Sequence, residues 1–193
     1  MSKIHLILGG ARSGKSSYGE ELASSIPGRI AYLATAKITD REMEKRIASH
    51  RERRPEEWAT FELEKDNLEK KDIKKVIQNI EEQGYSILLI DCMTNMLFRL
   101  IDSHELDRLE TISNKMEIEI EKKVLEFFRF FMDLIKSTGL NVIMISNEIG
   151  MGVVPAFPLG RIFRDLMGMI NKDIAAGSDE VYLFTAGLKQ RLK

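Results

Sequence analysis

The chain has 193 residues, enough for one full hydrophobic core and short for two. Hydrophobic residues make up 44% and charged residues 31%, with a formal net charge of -1, so overall charge points to neither nucleic acid nor an anionic membrane as partner. Cys92 is the sole cysteine, which excludes an intrachain disulfide, and no apolar run approaches the roughly 20 residues that a bilayer span needs.

The opening MSKIHLILGG is too short an apolar run for a signal peptide and leads straight into a glycine turn, so a cytoplasmic protein is expected. Its first element is a strand over Ile4 to Leu8. Residues 9–16 then read GGARSGKS and match G-x-x-x-x-G-K-[ST] at Gly9, Gly14, Lys15 and Ser16. Between a buried strand and a helix, that spacing has a specific use. The glycines let the backbone of Gly9, Gly10, Ala11, Arg12, Ser13 and Gly14 wrap a phosphate chain with N–H groups turned inward. The helix N-terminus adds partial positive charge. Lys15 reaches the β- and γ-phosphates, and Ser16 supplies a hydroxyl to Mg²⁺. The helix is expected to run from near Lys15 to Ser25, before Pro27-Gly28, and a second strand over Ile30 to Leu33.

A helix start follows at Thr39-Asp40-Arg41-Glu42, a capping-box pattern, and leads into RIASHRERR at residues 46–54. Met43, Ile47 and His50 are four and three apart, so they share one helix face. Arg46 lies one turn before His50, with Arg53 and Arg54 one turn after. A histidine on an apolar face is ordinarily a satisfied core residue, and the arginines can be solvated. Beside a triphosphate loop a second role opens. A neutral imidazole near the α-phosphate can act as nucleophile, with guanidinium groups steadying the leaving pyrophosphate.

The next helix is expected to begin at Asp66, with Glu69 three residues on, and to stop at Gly84. SILLIDCMTN then gives a buried strand, Ile87 to Ile90, with Asp91 at its C-terminal end. That is where a phosphate-loop protein keeps its metal-associated carboxylate, although aspartate also caps strand ends. Cys92 reads as a small buried filler. A long helix is expected over Leu106 to Ser137. Its Phe127, Phe128, Phe130 and Phe131 point all round, which suits a deeply covered core helix or a subunit contact. A strand over Val142 to Ile145 precedes NEIGMGVVP. A helix over Arg161 to Ala176, a strand over Val181 to Thr185 and an edge strand after Gly187 complete the chain.

Apolar strands alternating with helices give an α/β fold: a P-loop NTPase of RecA-like character, mostly parallel, with helices on both faces, as a single domain over 1–193. Two GTPase-like fragments do not fit. Asp165-Leu166-Met167-Gly168 lies inside an amphipathic helix, and Asn171-Lys172-Asp173 lacks its spacer and preceding strand. Length and neutral charge disfavour a DNA-dependent ATPase. A plain small-molecule kinase leaves RIASHRERR and NEIGMGVVP without a role.

The motifs LGGARSGKS, AYLATA, DREMEKRIASHRERRPEEW, LLIDCMTN, SNEIGMGVVP, RIFRDL with Asn171, and AAGSDEVYLFTAGL run in this order from Leu6 to Lys193. Together they resemble the bifunctional adenosylcobinamide kinase / adenosylcobinamide-phosphate guanylyltransferase family of cobalamin biosynthesis. The resemblance implies phosphorylation of the aminopropanol hydroxyl of adenosylcobinamide by GTP or ATP. It also implies guanylyl transfer from GTP through a histidine to the phosphorylated corrinoid. That histidine falls in R-I-x-x-H, which makes His50 the guanylyl acceptor.

By motif position, Ala34, Thr35 and Ala36 would line the nucleotide site, His50, Arg51, Glu52 and Arg53 would close over it, Glu62 would lie near the nucleotide, and Asp91 would serve the metal with Ser16. Asn147, Glu148, Gly150, Met151 and Gly152 would shape a corrinoid or nucleotide pocket, and Arg161 and Arg164 are candidate phosphate contacts. Relatives assemble as trimers. The chain departs from the family at Met93 to Phe98 and at AFPLG after Pro155. Two rivals remain: a kinase without guanylyl transfer, in which His50 is structural, and a non-catalytic GTP-binding regulatory module.

Overall fold

The computed structural model of the chain describes residues 2–36, 41, 54–63, 68–101 and 112–193. Among these, seven strands form one sheet in the order β3-β2-β4-β5-β1-β6-β7. They are β1 (Ile4–Gly9), β2 (Ile30–Ala34), β3 (Ala59–Glu62), β4 (Ile87–Asp91), β5 (Asn141–Asn147), β6 (Glu180–Thr185) and β7 (Leu188–Arg191). All neighbours are parallel except β6 and β7, which pair as a hairpin at the edge.

The central strands are apolar on both faces because both are covered. Side chains alternate across a strand, and the core divides accordingly. Leu6, Leu33, Leu88, Ile90, Val142 and Met144 face one layer, with Ile7, Tyr32, Leu89, Ile143 and Ile145 facing the other. The first layer is built by α2 (Lys70–Glu82), α3 (Met93–Leu100), α4 (Asn114–Ser137) and α5 (Pro158–Gly177). The second carries α1 (Lys15–Ser25) with Ala23 and Trp58. Helix α1 sits close to β4 and β5. A methyl group placed on its Gly19 would come within 2.8 Å of the Ile145 side chain.

The structure corrects several boundaries. The expected start of α2 at Asp66 falls outside the described residues; within them the helix begins at Lys70, with Glu69 as N-cap and Glu69 and Asp72 forming the capping box. The expected start of the long helix at Leu106 falls outside the described residues. Within them α4 begins at Asn114, where the Ser113 hydroxyl accepts the Met116 N–H. Phe127, Phe128 and Phe131 are buried in the core, while Phe130 is partly buried with the Lys70 ammonium 5.7 Å from its ring. Helix α5 begins at Pro158, a residue whose fixed φ suits a first helical turn, rather than at Arg161. Strand β3 and helix α3 are additions to the expected set.

Candidate active site

Strand β1 ends at Gly9, and the chain turns through Gly10 to Gly14 into α1. Two glycines are required here. A side chain on Gly9 would come within 2.5 Å of the Ser13 hydroxyl and 2.8 Å of the Phe184 carbonyl. Gly14, the N-cap, has φ of 96°, in the region that glycine alone enters freely. The loop is tied on both sides. The Glu148 N–H donates to the Gly9 carbonyl at 3.1 Å, and the Gly187 N–H to the Ser13 carbonyl at 3.1 Å.

Two polar side chains of this loop are buried. The Lys15 ammonium donates to the Gly10 carbonyl at 3.0 Å, so it lies across the loop rather than out in solvent. The Ser13 hydroxyl has no hydrogen-bond partner among the described residues. A buried hydroxyl without a partner is costly. With the N-terminus of α1 beside it, the loop suits an anion. Ser16 is half-buried in the first turn of α1.

The other half of the edge is built from β2, β3 and β4. The register brings Glu62, Ala34 and Asp91 to one level, since Ala34 pairs with both Glu62 and Asp91. Glu62 is exposed and Asp91 half-buried. The Asp91 carboxylate is hydrogen-bonded by the Tyr32 phenol, which burial first and this carboxylate second push well above its ordinary range. Beyond Asp91, the Thr35 N–H donates to the Asp91 carbonyl at 3.2 Å and the Thr35 hydroxyl to the Cys92 carbonyl at 2.8 Å. The Asp91–Cys92 peptide is cis. Cys92 is buried, and burial and Asp91 push its thiol up to about 11, which suits a filler rather than a nucleophile.

A residue that the sequence reading missed closes this region. Arg99, buried on α3, donates from Nε to the Thr35 carbonyl at 2.8 Å and from Nη2 to the Ala36 carbonyl at 3.0 Å. The sequence holds no signal for this, because the partners are 64 and 63 positions away.

His50, Arg51, Glu52 and Arg53 lie outside the described residues. The residues flanking that stretch are described. Ala36 is held by Arg99, and Arg54 stacks its guanidinium 3.5 Å from the centre of the Tyr32 ring, the ring whose hydroxyl meets Asp91.

At the end of β5, Asn147 pairs with Gly9. Its N–H donates to the Thr94 hydroxyl at 3.1 Å. Asn171 of α5 bridges the Ser146 hydroxyl, at 2.6 Å, and the Asn147 carbonyl, at 3.0 Å. Arg161 donates to the Pro155 and Ala156 carbonyls, and Arg164 pairs with Asp165, so both make local contacts here. The edge therefore presents an anion cradle at Gly9–Ser16 and a carboxylate at Asp91, two strands away across β5.

A family model described as cobinamide kinase / cobinamide phosphate guanyltransferase matches residues 5–192. The chain is 34% identical to the bifunctional adenosylcobalamin biosynthesis protein CobU of Escherichia coli, over 97% of this chain and 98% of that one. It is 36% identical to the bifunctional adenosylcobalamin biosynthesis protein CobP of Pseudomonas aeruginosa, over 97% and 96%. A solved structure of a prototypical ATPase from the type III secretion system of pathogenic bacteria superposes with a TM-score of 0.57 at 14% identity, over 95% of this chain and 51% of that one. That likeness shows the shared α/β P-loop fold.

Proposed function

The chain belongs to the cobinamide kinase / cobinamide phosphate guanyltransferase family, and from that premise we propose that it carries out both reactions in turn on adenosylcobinamide. In the first, the aminopropanol hydroxyl oxygen attacks the γ-phosphorus of GTP or ATP. The bond to the β,γ-bridging oxygen breaks, the nucleoside diphosphate leaves, and the hydroxyl proton is released. The loop N–H groups of Gly9 to Ser16 and the Lys15 ammonium hold the phosphates and offset the charge that builds on them.

In the second reaction, a His50 ring nitrogen attacks the α-phosphorus of GTP and pyrophosphate leaves. The phosphate of adenosylcobinamide phosphate then displaces the histidine. The P–N bond breaks, and the product is adenosyl-GDP-cobinamide. Ala34, Thr35, Ala36, Arg51, Glu52, Arg53 and Glu62 complete the nucleotide site in this reading. Arg99 keeps Thr35 and Ala36 in register with Asp91. Arg54 on Tyr32 and Ala36 under Arg99 support it, because both ends of the His50 stretch start from residues tied to the Asp91 strand.

Ser16 and Asp91 fit Mg²⁺. Both are oxygen donors, one in the first turn of α1 and one at the end of β4. Mg²⁺ takes one or two protein oxygens and fills its octahedron from substrate phosphates and water. When bound it neutralises phosphate charge. We place the activity in one domain over 1–193, assembled as a homotrimer in the cytoplasm. No helix among the described residues is long and apolar enough to cross a membrane.

The observation that carries the reading is the match over residues 5–192 in a chain whose Gly9–Ser16 loop runs from the end of β1 into the N-terminus of α1. The test is product analysis. With adenosylcobinamide, GTP and Mg²⁺, mass spectrometry should find the corrinoid gaining first a phosphate and then a guanylyl group. Accumulation of the phosphate alone would reduce the chain to a kinase, and neither product would leave a binding module.

A further inference from the structure

Nine large hydrophobic side chains are exposed among the described residues, and four of them crowd into residues 151–157, the loop after β5. Met151 is 81% exposed, Val153 94%, Val154 59% and Phe157 79%. A cluster of apolar surface left in water is a mark of a binding surface. This loop is also braced. The Glu148 carboxylate accepts the Gly150 N–H at 2.7 Å, and the Arg161 guanidinium donates to the Pro155 carbonyl at 3.1 Å and the Ala156 carbonyl at 2.7 Å. The same loop springs from the phosphate site: Asn147 pairs with Gly9, and the Glu148 N–H donates to the Gly9 carbonyl. Its stretch from Ile149 to Phe157 carries no charged side chain.

We propose that Met151, Val153, Val154 and Phe157 form the platform on which the corrinoid acceptor rests its macrocycle while its aminopropanol arm reaches the triphosphate held at Gly9–Ser16. The proposal rests on the functional reading above and adds the surface that selects the acceptor. The chemistry matches. A corrin ring is too large to enter a phosphate loop and must lie beside it. Its rim of methyl groups and neutral amides suits an uncharged apolar surface. A phosphorylated or polyanionic ligand would call for cations, and the loop offers none.

The test varies adenosylcobinamide at saturating GTP with Val153→Ser, Phe157→Ser and the double variant. Both side chains are exposed, so the melting temperature should stay at the wild-type value. The double variant should raise the KM for adenosylcobinamide about tenfold or more, the cost expected for losing two buried apolar contacts. Its kcat at saturating acceptor, its KM for GTP and its covalent labelling by GTP alone should stay at wild-type values. An unchanged KM for adenosylcobinamide overturns the proposal. Loss of the wild-type oligomer by light scattering, with that KM unchanged, would assign the patch to a second copy of the chain instead. A wild-type protein that phosphorylates no adenosylcobinamide would refute the functional reading itself, before any variant is compared.

Discussion

The two edges of the one sheet are built on opposite principles. At the N-terminal edge of the strands, polar groups close on one another. The Lys3 N–H donates to Asn141 Oδ1, the Ile4 N–H to the Asp179 carboxylate at 2.8 Å, and Glu180 takes the Lys3 ammonium at 2.8 Å and the Tyr182 hydroxyl at 2.6 Å. The exception is His5, whose buried Nδ1 lies 3.4 Å from the Glu180 carboxylate without a hydrogen bond. At the C-terminal edge, the Ser13 hydroxyl is buried with no partner among the described residues, and the Lys15 ammonium donates back across its own loop to the Gly10 carbonyl. The difference teaches where free energy is spent. One edge stabilises the sheet, and the other keeps polar groups poised for a ligand, as ligand sites at strand C-termini do in open α/β sheets.

Breaking the active edge should remove chemistry and leave the fold. Lys15→Ala is expected to lower both kinase turnover and guanylylation by about 10²-fold or more, the loss typical of removing one preorganised donor from a developing charge. Its melting temperature should stay near wild type. A variant that loses only one activity would show that the two reactions use different phosphate cradles.

Arg99→Met tests the joint between edge and core. It strips the Thr35 and Ala36 carbonyls of their buried donors, at a cost of about 2–4 kcal/mol. Chemical denaturation should read that loss. Arg99→Lys, which can reach one carbonyl, should recover part of it. Wild-type stability in Arg99→Met would remove Arg99 from the account.

The closed edge should behave in the opposite way. Glu180→Gln is expected to cost about 1–2 kcal/mol, with part of the ion pair screened because Lys3 is exposed, and to leave both activities unchanged. Its pH dependence has a definite sign. Bonds from Lys3 and then Tyr182 hold the Glu180 carboxyl down at about 2 against an ordinary 4.5. Its stabilisation is therefore complete above 4.5 and is lost as pH falls through about 2. His5 is pushed below its ordinary 6.5, by burial above all and against the pull of Glu180. The fold keeps it neutral, so its contribution is complete above 6.5 and declines as pH falls below that. Denaturation midpoints between pH 7 and 3 should show both slopes, with the acid one flattened in Glu180→Gln.

The smallest expected effect returns to the active edge. Ser13→Ala removes a buried hydroxyl that has no partner, so stability should be unchanged or higher by about 1 kcal/mol. The KM for GTP should rise severalfold. Lower stability with unchanged KM would mean that the hydroxyl serves the fold.

The active edge was legible in the sequence where its constraints are local. Gly9 to Ser16 are consecutive, and Asp91 ends an apolar run, so strand and turn physics locate both. The rest depended on distance. Arg99 sits on a helix of only eight residues, and its partners are set only when α3, packed on β5, brings it to the carbonyls just past β2. Strand β3 was missed because ATFE is a four-residue edge strand whose residues are only half-buried or exposed. The N-cap of α2 at Glu69 was not legible because Asp66 and Glu69 have the same spacing as Glu69 and Asp72, and only the folded backbone shows the second pair as the capping box. The loop after β5 was expected by resemblance to shape a corrinoid or nucleotide pocket through Asn147, Glu148, Gly150, Met151 and Gly152, but the exposure of Val153, Val154 and Phe157 shows only in the fold, since exposure is not a property of sequence.

The most direct test of the central claim is covalent labelling. The protein is incubated with Mg²⁺ and GTP labelled at the α-phosphate, denatured, and assayed for acid-labile, base-stable label, with γ-labelled GTP alongside. The account predicts label from the α-position only, abolished in His50→Ala. No label from either position, or equal label in His50→Ala, would contradict it.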